Sequence, residues 1–172
     1  QPANLFVLAN LADARTYGAE TEIWWRPNRH WDVRLAAGFL DAEFTDPRPG
    51  NEALDGNSLT YTPGFSANAI IRYSTPVSDR LQFAAQVDGN YQSSYFTDVA
   101  NIPISHVDGR ALVNGRLSLG STNNRWEVSL WARNIFDLEY TTYVNNLTST
   151  RRVLFATGYP RTYGIQLRLR FD

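Results

Sequence analysis

The chain has 172 residues and a formal net charge of −1, with 16 Lys+Arg against 17 Asp+Glu, so its charge gives no reason to expect nucleic acid, which needs a basic patch or stripe. It contains no cysteine, which excludes a disulfide framework and a thiolate metal site. No stretch approaches the roughly 18 apolar residues of a membrane helix, yet a mean hydropathy of −0.36 leaves membrane β-barrels open, because their alternating strands score as hydrophilic.

Methionine and lysine are also absent, all 16 basic residues being arginine, and the chain opens on QPANLF with neither an initiator Met nor a signal peptide. Period-2 alternation recurs from there onward, with no competing helical stripe. A short strand is expected at Asn4 to Leu8, then strands over 15 to 26 (Tyr17, Trp25) and 31 to 44 (Trp31, Phe39), joined by the tight RPNRH turn. After a long loop over 45 to 60 come strands over 64 to 75 (Phe65, Tyr73) and 80 to 97 (Phe83, Tyr91), joined by TPVSD. A loop over 98 to 107 leads to strands over 108 to 119 and 125 to 140 (Trp126), joined by GSTNN, and a last loop over 141 to 160 leads to the final strand, 161 to 172. That strand alternates Tyr163, Ile165, Leu167, Leu169 and Phe171 with Gly164, Gln166, Arg168 and Arg170.

Two regularities point to an all-β antiparallel transmembrane barrel segment of seven or eight meandering strands. Short and long connections alternate, as the periplasmic turns and extracellular loops of outer-membrane barrels do. On five strands two aromatics of like parity stand eight residues apart, a climb of roughly 20 Å at about 3.3 Å per residue and a 40° tilt. This matches the height of a lipid-facing band, so Tyr17, Trp25, Trp31, Phe39, Phe65, Tyr73, Phe83, Tyr91, Trp126, Tyr163 and Phe171 are expected to form its aromatic girdles. The simplest register sets Trp25 opposite Trp31, Tyr17 opposite Phe39 and Glu22 opposite Arg34, then Tyr73 opposite Phe83 and Phe65 opposite Tyr91. A soluble sandwich or lipocalin-like barrel also alternates, but its core has no need of aromatics at two fixed heights.

The C-terminal segments WEVSLWARNIFDLEY and GYPRTYGIQLRLRF resemble the last two strands of TonB-dependent outer-membrane receptors. The matching residues are Asn134, Ile135, Phe136, Asp137 and Tyr140, then Pro160, Arg161 and the terminal Phe171. Upstream, YGAETEIWWRP is similar to that family's Gly-x-Glu strand and GNSLTYTPGFSANAIIRY to its Pro-centred strand start. The resemblance implies that residues 1 to 172 are the C-terminal portion of a receptor barrel in the bacterial outer membrane, in contact with lipid. Such a barrel holds a plug domain, takes energy from TonB through an N-terminal box, and imports a scarce solute, most often a ferric siderophore; this sequence contains neither plug nor box. It further implies that Tyr163, Ile165, Leu167, Leu169 and Phe171 form the strand read by the barrel-assembly machinery, with Asp172 a departure after the terminal aromatic.

No catalytic, metal-binding or cofactor-binding constellation occurs, and enzymatic activity is not expected; His30 and His106 lack companions at ligand spacing. The sequon Asn146, Leu147, Thr148 has no use in a bacterial outer-membrane loop. Ligand recognition is expected at the loop end of the lumen wall, where parity places Asp88, Asn90, Arg110 and Arg133, with His106 above them and Tyr95, Phe96, Tyr140 and Tyr143 at the rim. Arg168 and Arg170 are expected to pair with neighbouring lumen carboxylates. Two alternatives remain: a self-contained eight-stranded membrane barrel filled by its own side chains, and a soluble β-barrel binding a small apolar ligand.

Overall fold

The computed structural model of the chain describes residues 10–147 and 151–171. The described residues form β1 (Asp13–Trp25), β2 (Trp31–Thr45), β3 (Phe65–Pro76), β4 (Leu81–Gln92), β5 (Tyr95–Phe96), β6 (His106–Val107), β7 (Arg110–Ser121), β8 (Trp126–Arg133), β9 (Thr141–Leu147), β10 (Arg152–Thr157) and β11 (Thr162–Leu169). Seven make one antiparallel meander in the order β1-β2-β3-β4-β7-β8-β11, while β5 pairs β6 and β9 pairs β10. The expected strand at Asn4 to Leu8, and Asp172, lie outside the described residues.

Local chemistry sets the turns. Across residues 26–30, Asn28 Oδ1 accepts the His30 N–H at 2.9 Å, and the Arg26 guanidinium grips Asp32 Oδ2 through two N–H groups at 2.9 and 2.7 Å. In the turn before β8, Asn124 takes a φ of 59°, a left-handed conformation that asparagine tolerates, and Ser121 Oγ accepts the Arg125 N–H at 3.0 Å. All three short connections lie at one end of the meander and the long ones at the other.

The hairpin registers differ from expectation by one rung. Trp25 faces Val33 and Trp31 does not face it; Tyr17 faces Asp41, and Phe39 faces Ala19. Glu22 faces Ala36 while Arg34 faces Trp24, and Arg34 instead pairs with Asp32 on its own strand at 3.1 Å. Likewise Tyr73 faces Ala85, Phe83 faces Thr75, and Tyr91 faces Ala67, not Phe65. A two-residue offset preserves every side chain's face, and its cause is strand tilt: aromatics at equal height on inclined strands are not hydrogen-bonded neighbours.

That stagger accumulates regularly across the sheet. Moving toward the turn end, the inner aromatics drop one rung from Trp25 to Trp31, none to Tyr73, one to Phe83, one more by Trp126 and one more to Phe171. The outer aromatics Tyr17, Phe39, Phe65, Tyr91 and Tyr163 descend in parallel, also by four rungs in all. A drop of eight residues at about 3.3 Å each, over six strand spacings of about 4.8 Å, is an inclination of roughly 40°, within the range of barrel strands. Between β2 and β3 the belts fall on shared rungs, with Trp31 and Tyr73 ring centroids 5.0 Å apart and Phe39 and Phe65 centroids 4.6 Å apart.

Three further differences lie at the loop end. The strand expected to run to residue 140 stops at Arg133, because Asn134 turns the chain at a φ of 49°. The strand expected over 80 to 97 is interrupted after Gln92 and resumes only at Tyr95. The segment expected to be loop from 141 to 160 contains the β9/β10 hairpin, built from the β-branched and aromatic runs TTYV and VLF.

The meander is one layer thick, so its apolar face is bare: Ile165 is 74% exposed and Phe39 63%. An apolar surface of that extent is an interaction face. Among the described residues the buried apolar cluster is small and lies among the loops, where Tyr95, Val107 and Val144 pack with Val153. Edge strands β1 and β11 are not paired with each other.

Candidate functional site

Alternation gives the meander two chemically distinct faces. One carries both aromatic belts, with Ile23, Leu35, Ala37, Ala67, Ala69 and Val113 among the residues between them. On this face Ile165 and Leu167 are bare, Leu169 is half exposed, and Tyr163 and Phe171 are the most exposed aromatics of β11 and its end. Only above the outer belt does charge appear, where Arg15 pairs with Glu43, Tyr17 donates to Asp41 and Arg48 meets Asp13 at 2.9 Å.

The opposite face is polar and internally bonded. The Arg116 guanidinium donates to Ser129 Oγ and Gln166 Oε1, each at 2.8 Å, and to Glu127 Oε1 at 3.2 Å. Ser118 donates to Ser129 at 3.1 Å. This knot ties β7, β8 and β11 together, and Arg168, which faces Glu127 in register, acts on the same carboxylate electrostatically without hydrogen-bonding it. Asp88 accepts from Asn114 Nδ2 at 2.7 Å and Gln86 Nε2 at 3.3 Å. Asn90 lies on the same face opposite Asn68 and Leu112, and the Arg133 guanidinium sits 5.6 Å from the Trp131 ring centre.

At the loop end three segments are bound into one layer. Tyr61 N–H donates to Phe96 O at 2.9 Å, Asn57 Nδ2 donates to Val99 O at 3.1 Å, and Asn101 Nδ2 donates to Ser58 O at 3.0 Å. Thr97 Oγ1 donates to Val144 O at 2.7 Å, and Tyr95 OH donates to Thr142 O at 2.8 Å. Tyr95 is therefore a buried anchor, 8% exposed, and is not open at the rim as expected; its ring fills the space between β6 and β9. Tyr143 stays exposed and lies parallel to Tyr61, ring centres 6.4 Å apart. Phe96 meets the His106 ring edge-on at 5.3 Å, and Arg110 lies 4.8 Å over the Tyr140 ring while donating to Thr141 O at 3.4 Å.

Tyr61 is the residue that sequence reading missed here. It takes a φ of 59° and is half exposed; partial desolvation, then the neighbouring Tyr143 and Tyr95, raise its phenol above the ordinary tyrosine range. Trp24, on the polar face near the turn end, was hidden beside Trp25; two guanidinium groups, Arg26 and Arg34, lie 4.5 and 4.8 Å from its ring centre.

The Asn-Ile-Phe-Asp element is a clasp. Asn134 is 6% exposed; its side chain donates to Leu138 O at 2.9 Å and Tyr159 O at 3.2 Å and accepts the Leu138 N–H at 2.9 Å. Its backbone N–H reaches Asn114 Oδ1 at 3.0 Å. Asp137 takes hold of Arg161, so the end of β8 is fixed to the start of β11. Among the described residues no group of acidic or histidine side chains is arranged to hold a metal.

Comparison with known proteins supplies the context for this geometry. Residues 1–135 match the family model described as TonB dependent receptor-like, beta-barrel. The fold is similar to that of the ferric yersiniabactin uptake receptor of Yersinia pestis, at a TM-score of 0.84 and 22% identity over 96% of this chain and 25% of that one. It is also similar to the ferric preacinetobactin receptor of Acinetobacter baumannii, at 0.69 and 22% over 90% and 22% of the two chains. A siderophore receptor of the same organism matches at 0.67 and 19%, over 90% and 21%. The chain thus spans about a quarter or less of the length of these structures.

Proposed function

The chain belongs to the TonB-dependent receptor β-barrel family, and from that membership we propose that it forms part of the wall of an outer-membrane importer. In this reading the aromatic-belted face meets lipid, the Arg116 face lines the lumen, the tight turns lie in the periplasm and the loop layer faces outside. Members of the family are outer-membrane proteins of Gram-negative bacteria. The remaining strands, a plug domain and the TonB system are the partners this wall requires, and the barrel-assembly machinery reads its last strand. The observation that carries the proposal is the pair of parallel aromatic belts, eight residues apart along the strands and inclined at roughly 40° to the rungs. A soluble core has no use for that arrangement.

The proposed cargo is a ferric siderophore. Two structural neighbours are described as receptors for ferric compounds and a third as a siderophore receptor, and Arg110 over Tyr140, with Tyr61 and Tyr143, provides cationic and aromatic groups at the loop end, suited to an anionic chelate with aromatic iron-binding groups.

Adjacent residues of β3 provide the test of the faces. Asn68 is exposed on the polar face and Ala69 lies on the apolar one. Ala69→Arg is expected to reduce the heat-modifiable folded form in outer membranes, since an arginine in the lipid band costs about 2 to 4 kcal/mol at its centre; Asn68→Arg is expected to leave it unchanged. The reverse result would show that the faces are assigned backwards.

A further inference from the structure

Among the seven strands of the meander, β7 alone carries no aromatic side chain. On the belted face its Leu117 and Leu119 stand opposite Leu130 and Val128 of β8, and all four are exposed. They form an aliphatic lane, flanked at Leu119 by Phe83 of β4. At the turn end the lane runs into Leu81 and Trp126, both half-buried and both tied to Ser121: Leu81 faces it in register, and the Trp126 N–H donates to its Oγ at 3.2 Å.

There the turns over 77–80 and 122–125 flank a hollow of about 670 Å³, lined by Leu81 and Trp126 from the strands and by Arg80 and Arg125 from the turns. The two turns are pinned together: the Thr122 N–H donates to Arg80 O at 3.1 Å and Thr122 Oγ1 to Asp79 O at 2.9 Å. The Arg80 side chain makes no hydrogen bond or ion pair with any described residue, Asp79 included. No carboxylate stands among the described residues that line the hollow. An aliphatic strip that passes an aromatic belt and ends in a basic hollow suits an amphiphile with an anionic head, its chain on the apolar surface and its head against a guanidinium.

We infer that the lane and the hollow together form a binding site for one phospholipid of the leaflet on the turn side. An acyl chain lies along Leu117, Leu119, Val128 and Leu130, and the phosphodiester enters the hollow, where Arg80 donates to its oxygens and Arg125 adds positive charge. The inference rests on the proposed reading in which the belted face meets lipid, and it goes beyond that reading by fixing one headgroup at one place on the wall. A free anion would use the arginine end alone and an uncharged lipid the lane alone; a phospholipid uses both. Arginine suits the task because its planar fork meets two phosphate oxygens at once.

The receptor that carries these strands is purified from outer membranes in detergent, stripped of lipid, and titrated with phosphatidylglycerol while bound lipid is counted by native mass spectrometry. Arg80→Gln is expected to lower the occupancy of the tightest phosphatidylglycerol adduct several-fold, whereas Arg29→Gln, in the exposed turn over 26–30, is expected to leave it unchanged. Diacylglycerol with the same chains should not form that adduct, and excess inorganic phosphate should not displace it. Equal occupancy in Arg80→Gln and the unchanged protein would overturn the inference. Equal binding of diacylglycerol would show that no phosphate is recognised, and displacement by inorganic phosphate would make this a free-anion site; either would overturn it too. The Asn68→Arg and Ala69→Arg pair is run alongside. If that pair behaves as expected and Arg80→Gln binds as before, the lipid site alone fails; if that pair is reversed, the reading of the faces fails and takes the site with it.

Discussion

Asp137 holds Arg161 at two points: Oδ1 accepts the Arg161 backbone N–H at 2.8 Å and Oδ2 faces its guanidinium at 3.4 Å. Asn134 supplies the other half of the same clasp from a buried position. The two residues should therefore differ in cost. Asn134→Ala removes three hydrogen bonds made by a buried side chain and is expected to destabilise the loop end by about 2 kcal/mol. Asp137→Ala, at a half-exposed pair, is expected to cost about 1 kcal/mol or less. Limited proteolysis between residues 134 and 161 would rank them, and equal effects would contradict the clasp.

Gly158 sits under the Tyr140 ring, where an added Cβ would lie 1.9 Å from Tyr140 Cζ, while its N–H donates to Tyr140 O at 2.9 Å. Gly158→Ala should push the ring away and end its contact with Arg110, opening the β9/β10 hairpin to protease while the barrel band stays folded. Unchanged loop protection would show that Tyr140 moves without consequence.

Leu167 lies between the belts on β11. Leu167→Arg is expected to lower the yield of heat-modifiable folded protein strongly, by the same 2 to 4 kcal/mol that an arginine costs in the lipid band.

Tyr61 provides a pH signature. Partial desolvation at this half-exposed position holds its phenol above the ordinary range, so the neutral form is favoured when the loops are docked. Its contribution to docking is complete below the usual tyrosine pKa of about 10 and is lost as pH rises from there through the raised value. Phenolate absorbance should show one late-titrating tyrosine fewer in Tyr61→Phe than in the unchanged protein, whose loop proteolysis should accelerate over the same pH interval. An equal number of late-titrating tyrosines in the two proteins would assign the phase elsewhere.

Parity was legible in the sequence along the belted strands, and a two-residue register offset left the belt residues together on one face. Register itself was not, because Trp25 and Trp31 share a height without sharing a rung once the strands incline. Above the band that constraint vanishes. Tyr95 alternates like an exposed rim residue, yet Val107 and Val144, from distant segments, bury it. The β9/β10 hairpin carries no aromatic at belt spacing and so passed for loop. Asn134 and Asp137 were noticeable as a motif, but their work depends on Asn114, Tyr159 and Arg161, which no local pattern connects to them.

In the proposed reading, the inclination of the belts also determines what a solute would meet on its way down the wall. At roughly 40°, a vertical line along the lumen passes to a new strand about every 7 Å, so a descent through the band visits about three strands. The order of charges along that route is written diagonally across the sheet, from Arg133 on one strand to Arg116 on its neighbour, and in no single stretch of the chain. Selection on a transport path of this kind acts on residues far apart in sequence, and an insertion that moves one strand by a rung would rewrite the whole itinerary.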